Sequence, residues 1–218
     1  MPEEINRIIT DQLSEALFTP SEDADRNLQK EGIPASKVHL VGNVMIDTLT
    51  YLLPKSQSNW YQLAPNFPRK YILVTLHRPA NVETISMEIP VLFPVHPRTR
   101  ERLKEFDLQP KSSRFQLLDP LGYLDFLSLQ EHASLVLTDS GGIQEETTYL
   151  GVPCLTARPN TERPVTISMG TNQLVESEST SLVQAMQASL SGSRPKKKSP
   201  PLWDGHTAGR IVKVFRQV

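Results

Sequence analysis

Residues 138–163 hold the side chains and glycines whose types and spacing could bind an anion. An apolar, strand-like run is followed by Ser140, Gly141 and Gly142, and a helical pattern starts directly after them. Glycines let the backbone approach a ligand, and the first N–H groups and positive dipole end of a helix attract phosphate. Arg163 adds a permanent positive charge after the next strand. The sequence therefore predicts that the amides of the three small residues converge on a nucleotide diphosphate.

Two glutamates follow near the start of the same helix. Glu146 is predicted to reach ribose hydroxyls beside the phosphate, whereas Glu145 has the simpler role of a carboxylate favoured by the helix dipole. The helix is expected to end at Gly151, because glycine suits a left-handed C-terminal cap. For Arg163 the alternative to anion binding is an ion pair with Glu162, but adjacent side chains pair poorly, which favours anion binding.

The composition excludes several classes of protein. The chain has 218 residues, 38% of them hydrophobic and 22% charged, with a net charge of −1, so no global charge favours nucleic acid or an anionic membrane. The single cysteine, Cys154, excludes a disulfide framework and fits a reducing compartment. No apolar stretch of about eighteen residues appears, so we predict a cytoplasmic protein without a membrane partner. No metal-ligand spacing or Gly-x-Ser-x-Gly elbow is present, and no cofactor is predicted.

Strand and helix patterns alternate in the second part of the chain. The expected strands are 71–76, 90–95, 115–118, 134–138 and 152–156, and the expected helices are 98–106, 123–131, 142–150 and 179–190. Near-continuous apolar strands that alternate with helices predict an α/β fold, a parallel sheet with helices on both faces. Ligands bind such sheets beyond the carboxyl ends of the strands. His77, His96, Asp119 and Asp139 all follow strand ends, which groups them near the predicted site.

The first part of the chain has patterns typical of further helices and strands, and a predicted linker follows them. Helices are expected from Pro2, from Ser21 to near Gly32 and at 45–53, and strands at 16–19 and 38–41. Residues 54–68 are rich in proline, serine, glutamine and asparagine, so we divide the chain into 1–53, the linker 54–68 and a domain at 69–218. Only twelve residues separate His77 from Pro90. This crossover is short for parallel strands, so it holds either a single-turn helix or fewer residues than usual.

Several motifs together resemble one known family, the non-hydrolysing UDP-N-acetylglucosamine 2-epimerases. They occur in the expected order and cover nearly all of the chain: Pro2 to Arg7, Val41-Gly42-Asn43, Val74 to Asn81, Pro94 to Thr99, Asp139 to Glu146, Gly151-Val152-Pro153, Thr161 to Pro164 and Asp204-Gly205. The Ser-Gly-Gly-Ile-Gln-Glu-Glu run followed by Thr-Glu-Arg-Pro is highly specific. The resemblance implies a Rossmann-like domain, the carboxyl-terminal half of a two-domain fold like that of the GT-B glycosyltransferases.

The resemblance also implies a reaction and its substrate. Such an enzyme converts UDP-N-acetylglucosamine to UDP-N-acetylmannosamine by eliminating UDP and adding it back after C2 is reprotonated on the other face. Breaking the anomeric C–O bond places negative charge on the leaving diphosphate, which fixed N–H groups and a guanidinium would stabilise. By resemblance the UDP-binding residues are His77, Phe126, Ser140, Gly141, Gly142, Glu146 and Arg163.

Those residues have separate roles in the family. The three small residues would hold the diphosphate, with His77 and Arg163 also contacting it. Glu146 would bind the ribose, and Phe126 would lie against the uracil. The helical spacing of Phe126 from other apolar residues leaves core packing as its alternative role. His77 has a sheet-edge structural role as its alternative.

Further positions match catalytic and regulatory residues. Glu3 and Arg7 match residues at the edge of the sugar-facing cleft, and with His77 they are the predicted catalytic residues. Arg78 and His96 match a regulatory second UDP-sugar site of some bacterial members. His-Arg-Pro-Ala-Asn departs from the regulatory motif of those members, and His96 could equally cap a strand end.

The chain departs from the family pattern in ways that leave its activity open. The family's amino-terminal domain, with its acidic proton-transfer residues, is expected to be absent apart from a final helix and strand. Trp203 stands where a glycine usually precedes Asp-Gly. Alternatives to an epimerase are therefore an inactive UDP-binding fragment or a GT-B transferase donor domain. Ile5, Ile8, Ile9 and Leu13 are expected to lack partners, which favours a homodimer or a separate chain that supplies the absent domain.

Overall fold

The structure is a computed structural model that describes residues 2–56, 68–76, 89–105, 114–176, 178–192 and 199–217. The chain separates into two compact units. Unit 1 combines Met1–Tyr51 with Pro200–Val218, and unit 2 is Leu52–Ser199. The predicted crossover after His77 and most of the predicted linker lie outside the described residues.

Unit 2 alternates strands and helices. In chain order its elements are β3 (Ile72–Thr75), β4 (Val91–Pro94), α4 (Pro97–Glu105), β5 (Phe115–Leu118), α5 (Tyr123–His132), β6 (Leu135–Thr138), α6 (Gly141–Leu150), β7 (Cys154–Thr156), α7 (Val165–Ser168), β8 (Asn172–Leu174) and α8 (Ser179–Ser191). The short strand β8 and the single-turn helix α7 were not predicted. The other elements lie at or within two residues of their predicted positions.

The strands of unit 2 form one parallel sheet in the order β5-β4-β3-β6-β7-β8. The chain therefore builds outward in one direction from β3 and then in the other direction from β6. These two strands pair directly, with Ile72 opposite Leu135 and Thr75 opposite Thr138. In doubly wound sheets, ligands bind where the strand order reverses, beyond the carboxyl ends of the strands. The topology thus places the predicted anion site, which follows β6, at the reversal point.

Alternating side chains of β3 separate two apolar cores. Ile72 and Val74 pack with side chains that include Leu103 of α4 and Met186 of α8 on one face. Tyr71 and Leu73 pack with Leu129 of α5 on the other face, and Ile143 and Leu150 of α6 lie against the same cluster. The Tyr71 hydroxyl donates to the Leu129 carbonyl at 2.6 Å, so this buried ring also satisfies its polar atom. The predicted α/β class, with helices on both faces of a parallel sheet, is confirmed.

Unit 1 is a smaller α/β arrangement. It contains α1 (Pro2–Leu13), β1 (Leu17–Thr19), α2 (Glu22–Lys30), a 3-10 turn at Ala35–Lys37, β2 (Val38–Leu40), the first part of α3 (Val44–Ser56) and α9 (Thr207–Phe215). Strands β1 and β2 pair in parallel, and Leu28 of α2 packs with Leu17, Ile33 and Val38. Helix α9 was not predicted.

In unit 1, the Val41-Gly42-Asn43 motif lies against the segment just before Asp204-Gly205. Gly42 has a φ of +92°, and a Cβ there would collide with the Leu202 carbonyl, so only glycine fits. Trp203 replaces the expected glycine before Asp-Gly, yet it is buried and its indole N–H donates to the Pro20 carbonyl at 2.8 Å. The Trp203 departure is therefore accommodated by the core of this unit.

Residues 200–218 belong to unit 1, whereas the sequence predicted that they belong to the domain at 69–218. Asp47 of α3 accepts the Thr207 and Ala208 N–H groups at 3.0 and 2.7 Å. A carboxylate in this position satisfies free amides at the start of α9 and complements its dipole. Together with the Trp203 indole bond, this cap attaches 200–218 to unit 1. Such long-range contacts have no signature in local sequence.

Candidate functional site

The candidate site starts where β6 ends. Asp139 continues the sheet by donating its N–H to the Thr75 carbonyl of β3 at 3.4 Å. Ser140 then has extended backbone angles, φ −89° and ψ 133°, and α6 begins at Gly141. Helix α6 ends at Gly151, which has a φ of +71° as the left-handed cap predicts. The strand-to-helix turn therefore directs the amino terminus of α6 to the carboxyl edge of the sheet.

The backbone of Ser140 differs from the predicted arrangement of three converging amides. Its N–H donates to Thr138 Oγ1 at 3.0 Å, and its carbonyl accepts from Gln144 Nε2 at 3.3 Å. Both backbone groups of Ser140 are thus used within the protein, since the Thr138 hydroxyl accepts the N–H and the Gln144 carboxamide donates to the carbonyl. The Ser140 side chain makes no capping bond to the helix. The predicted role of Ser140 in ligand binding therefore rests on its hydroxyl.

The first turn of α6 retains the features that bind anions. Gly141 and Gly142 are its first two residues, and an α-helix leaves the N–H groups of its first turn without intrahelical partners. Apart from its chain neighbours and the backbone of α6, no atom of the described residues lies within 4 Å of the position that a Cβ of Gly142 would take. A ligand oxygen can therefore approach the backbone at this point, supported by the helix dipole.

Arg163 lies directly against this turn. A Cβ built on Gly141 would stand 2.5 Å from its Nη1 and 2.9 Å from its Cζ. The absence of a side chain at Gly141 thus gives the guanidinium its place beside the helix terminus. The sequence predicted a glycine turn and a cation separately, and the structure brings them together. A guanidinium beside free helix amides provides several fixed donors and a full charge for one anion.

Glu145 forms an ion pair with this guanidinium. Its Oε1 lies 3.1 Å from Arg163 Nε, whereas Glu162 Oε2 lies 3.7 Å from Nη1. Glu145 is buried and Glu162 is exposed, so the Glu145 contact is the less screened of the two. Sequence reasoning gave Glu145 only a helix-dipole role. Seventeen residues separate the pair, and no local pattern could have indicated it.

Glu146 lies on the next position of α6 in a different environment. It is only 5% exposed, and Tyr123 Oη donates to its Oε1 at 2.9 Å. Its Oε2 is buried and has no hydrogen-bond partner among the described residues. Burial raises the pKa of Glu146, an effect that the hydrogen bond from Tyr123 partly opposes. Glu146 thus joins α6 to α5 through a buried carboxyl group.

Phe126 and Tyr123 occupy one face of α5. They are three residues apart and therefore neighbours on the helix. Phe126 is half-buried and packs on the apolar cluster around Tyr71 and Leu129, so its core contacts are evident. Its contact with uracil stays a prediction. Sequence reasoning missed Tyr123, which bridges α5 to Glu146 of α6.

The structure describes only one of the next three predicted site residues, His96. His77 and Arg78 lie outside the described residues. His96 is exposed after β4, and its carbonyl accepts the Arg100 N–H at 3.0 Å at the start of α4. A nearby Arg100–Asp119 ion pair measures 3.0 Å. The regulatory role of Arg78 and His96 stays a prediction.

Glu3 and Arg7 lie on α1 of unit 1. Glu3 is exposed, and Arg7 is bound by three carboxylates, with distances of 2.7 Å to Glu4, Asp11 and Glu31. The hydrogen bonds that Arg7 donates to Glu31 and Glu4 raise its pKa above the ordinary value. The guanidinium is thus neutralised locally. The catalytic role of both residues stays a prediction.

The described residues contain neither a membrane-spanning helix nor a metal-ligand cluster, and their one cysteine is buried. No described helix has both the length and the apolar character that crossing a bilayer requires. No three His, Cys, Asp or Glu side chains in the described ranges are arranged to hold a metal ion. Cys154 is buried, which raises the pKa of its thiol to about 11 and keeps it protonated at neutral pH.

Comparison with known proteins agrees with this geometry. Residues 1–216 match the family described as UDP-N-acetylglucosamine 2-epimerase. The UDP-N-acetylglucosamine 2-epimerase of Methanocaldococcus jannaschii is 40% identical over an alignment 237 residues long. The alignment covers 99% of this chain and 64% of the relative. The UDP-2,3-diacetamido-2,3-dideoxy-D-glucuronate 2-epimerase of Pseudomonas aeruginosa is 37% identical over 206 residues, covering 87% of this chain and 56% of the relative.

A solved structure gives the same result in three dimensions. The crystal structure of the M. jannaschii UDP-GlcNAc 2-epimerase in complex with UDP-GlcNAc and UDP superposes with a TM-score of 0.86 at 38% identity. The match covers 100% of this chain and 65% of that chain. The present chain thus spans about 64% of the length of the curated relative it matches.

Proposed function

Because the chain belongs to the UDP-N-acetylglucosamine 2-epimerase family, we propose that unit 2 binds the UDP part of a UDP-sugar and that the chain serves its 2-epimerisation. The observation that carries this proposal is the Arg163 guanidinium against Gly141, at the free amino terminus of α6. The two relatives named above act on different UDP-sugars by their names, and they share UDP. We therefore assign UDP to this site first and propose UDP-N-acetylglucosamine as the sugar nucleotide.

The geometry suits the leaving group of such a reaction. Elimination removes a proton from C2 and breaks the anomeric C–O bond, which leaves both electrons of that bond on the diphosphate. Amides of the α6 first turn and the Arg163 guanidinium are donors fixed in advance, so they stabilise the developing charge without reorganising. Readdition of UDP to the glycal, with a proton delivered to the opposite face of C2, gives the epimer. Glu146 binds the ribose, and Phe126 lies against the uracil, in this proposal.

Titration of the full chain with UDP, UMP and uridine tests the binding step. We expect affinity to rise from uridine to UMP to UDP, because each phosphate adds contacts at α6 and Arg163. Equal affinities for the three ligands would contradict the assignment of the diphosphate site. Incubation with UDP-N-acetylglucosamine in D2O, followed by NMR of C2, tests the reaction, since reprotonation from solvent introduces deuterium at C2.

A second candidate function is UDP-sugar binding without catalysis. It concerns the 218 residues of this chain, whose match covers 64% of the M. jannaschii relative. Under this proposal the chain binds UDP tightly, yet neither the mannosamine epimer nor deuterium at C2 forms. Addition of a separate chain carrying the rest of the family sequence would then restore turnover. The two experiments above separate the candidates directly.

Glu146→Gln is expected to stabilise the protein at neutral pH while weakening UDP binding roughly tenfold, the effect of about one charge-assisted hydrogen bond. Burial raises the folded-state pKa of Glu146, so the folded state keeps this proton to higher pH than the unfolded chain does. Stability from the group is present below its ordinary value of 4.5 and is lost as pH rises through the raised pKa. The amide avoids that loss but is a weaker acceptor for ribose hydroxyls.

Urea unfolding of both proteins at about pH 4.5 and about pH 8 measures the effect of Glu146 on stability. The difference in free energy of unfolding should grow in favour of Glu146→Gln at the higher pH. UDP titration at the higher pH measures the functional half. A variant that bound UDP as well as the wild type would remove Glu146 from the ribose site.

We also propose that the exposed apolar face of α1 mediates self-association. Ile5, Ile8, Ile9 and Leu13 fall on one side of this helix and are 59%, 41%, 52% and 78% exposed. Replacing Ile9 and Leu13 together by glutamate is expected to convert a dimer into a monomer, because charged side chains oppose apolar contact. Light scattering after gel filtration measures the mass. A wild-type chain that is monomeric at the highest concentrations would contradict this proposal.

A further inference from the structure

The backbone of Arg163 is held at both of its polar groups by threonine hydroxyls. Its N–H donates to Thr161 Oγ1 at 3.0 Å, and its carbonyl accepts from Thr166 Oγ1 at 2.7 Å. Thr161 and Arg163 lie between β7 and α7, and Thr166 is the second residue of α7. The position of the Arg163 backbone is therefore set by side chains on both sides of it.

Each hydroxyl is bonded in turn to a buried carboxamide. Thr161 Oγ1 donates to Gln144 Oε1 at 2.6 Å, and Thr166 Oγ1 accepts from Asn172 Nδ2 at 3.1 Å. Asn172 Nδ2 also donates to Gln144 Oε1 at 3.0 Å, which closes a ring around Arg163. A hydroxyl has one proton to donate. Thr161 donates it to Gln144 and Thr166 donates it to Arg163, so the directions of the bonds are mutually consistent.

This ring is anchored to both elements that frame the anion site. Gln144 Nε2 donates to the Ser140 carbonyl at 3.3 Å, at the start of α6. Asn172 Oδ1 accepts from Thr156 Oγ1 at 2.6 Å, at the end of β7. Gln144, Thr156 and Thr166 are fully buried and Asn172 is 5% exposed. Hydrogen bonds in such surroundings are strong, and leaving one partner unpaired is costly.

We propose that Gln144, Thr161 and Asn172 are positioning residues. They fix the loop 157–164, which carries Arg163, against the first turn of α6, and so set the affinity for the diphosphate. This inference rests on the proposed function, in which Arg163 binds UDP. The loop needs such a device because Pro159, Asn160 and Glu162 within it are exposed and contribute little packing. The Glu145 contact orients the guanidinium, whereas the ring locates the backbone that carries it.

The first test compares Thr161→Val with Thr161→Ser. Valine has the shape of threonine without the hydroxyl, so the Arg163 N–H loses its acceptor and Gln144 Oε1 keeps only the Asn172 donor. We expect Thr161→Val to bind UDP about tenfold more weakly and uridine within about twofold of the wild type, and Thr161→Ser to restore UDP affinity. Thr171→Val is the matched control, because the Thr171 hydroxyl bonds the Val152 carbonyl at 2.6 Å and is not part of the ring.

Asn172→Leu tests the far end of the ring. We expect the same selective loss of UDP affinity, and a Thr161→Val/Asn172→Leu double variant should lose less than the product of the two single losses, because both act through Arg163. Circular dichroism and urea unfolding verify that each variant is folded. If Asn172→Leu does not fold, the Thr161 series decides the question.

The outcomes distinguish this inference from the proposed function. A wild-type chain that binds UDP no better than uridine refutes the diphosphate site itself. A wild-type chain that prefers UDP, with Thr161→Val equally tight, refutes the positioning role alone. An equal loss of UDP and uridine affinity in Thr161→Val, or the same loss in Thr171→Val, assigns the ring to general folding and also refutes it.

Discussion

Gly141→Ala is expected to lower the affinity for UDP by about tenfold to a hundredfold, the effect of losing one or two charge-assisted hydrogen bonds. The cause is indirect, because the new methyl group takes the space in which the Arg163 guanidinium lies. Nη1 and Cζ would stand 2.5 and 2.9 Å from that carbon. These atoms are the end of a flexible side chain, so the guanidinium moves aside and the fold is retained. The cation leaves the helix terminus.

The free energy of unfolding should change little in the same variant. Gly141 is the first residue of α6, and alanine has a higher helix propensity than glycine by about 1 kcal/mol in helix interiors. This gain offsets part of the strain of displacing Arg163. A protein as stable as the wild type, yet weak in UDP binding, is therefore the expected result. Urea unfolding and UDP titration on the same preparations measure the two quantities.

A double-variant cycle shows whether the loss passes through Arg163. In an Arg163→Ala background the methyl group of Gly141→Ala has no guanidinium to displace, so it should cost UDP affinity much less there. An equal cost in both backgrounds would mean that the methyl group acts on the ligand directly. Gly142→Ala provides the comparison, because among the described residues its methyl group would meet no atom within 4 Å beyond the backbone of α6 and its chain neighbours. Any loss of affinity in that variant reports close approach of the ligand to the backbone.

The central strands of unit 2 could be predicted from sequence because each is a buried apolar run. Ile72–Thr75 and Leu135–Thr138 lie in the middle of the sheet, and burial on both faces leaves an unbroken apolar signal. Strand β8 lacks that signal. Its three residues, Asn172–Leu174, lie at the sheet edge, and its most buried residue is a polar asparagine used in the Arg163 ring. A hydrophobicity pattern cannot detect such a strand.

Within the candidate site, sequence indicated components more readily than their contacts. The Ser-Gly-Gly turn and Arg163 were recognisable from residue type and from the family resemblance. The Glu145–Arg163 pair and the Tyr123–Glu146 bond join different elements, and sequence spacing carries no information about them. The Ser140 amide was predicted to face the ligand, but the Thr138 hydroxyl accepts its hydrogen bond. A competing acceptor two residues away decided that detail.

Arg163→Met is expected to have the largest effect on binding, a loss of UDP affinity of about a hundredfold or more, since it removes both a charge and the planar donor fork. It is also expected to destabilise the fold. Glu145 is 8% exposed, and its Oε1 lies 3.1 Å from Arg163 Nε, so the variant leaves a buried carboxylate without this cation. Because Arg163 is itself one-third exposed, we expect a cost of about 1–2 kcal/mol, below the usual value for a fully buried pair.

The destabilisation and the binding loss can be separated with Glu145→Gln. In the Arg163→Met/Glu145→Gln double variant position 145 no longer carries a carboxylate that needs the cation, so the free energy of unfolding should return toward the wild-type value while UDP affinity stays low. Arg163→Lys keeps the charge but not the fork, and its UDP affinity should fall between those of the wild type and Arg163→Met. If the double variant regained UDP affinity along with stability, Arg163 would serve the fold rather than the diphosphate. Persistent weak binding by a stable protein would instead place the guanidinium on the ligand, because stability and affinity would then respond to different partners of the same side chain.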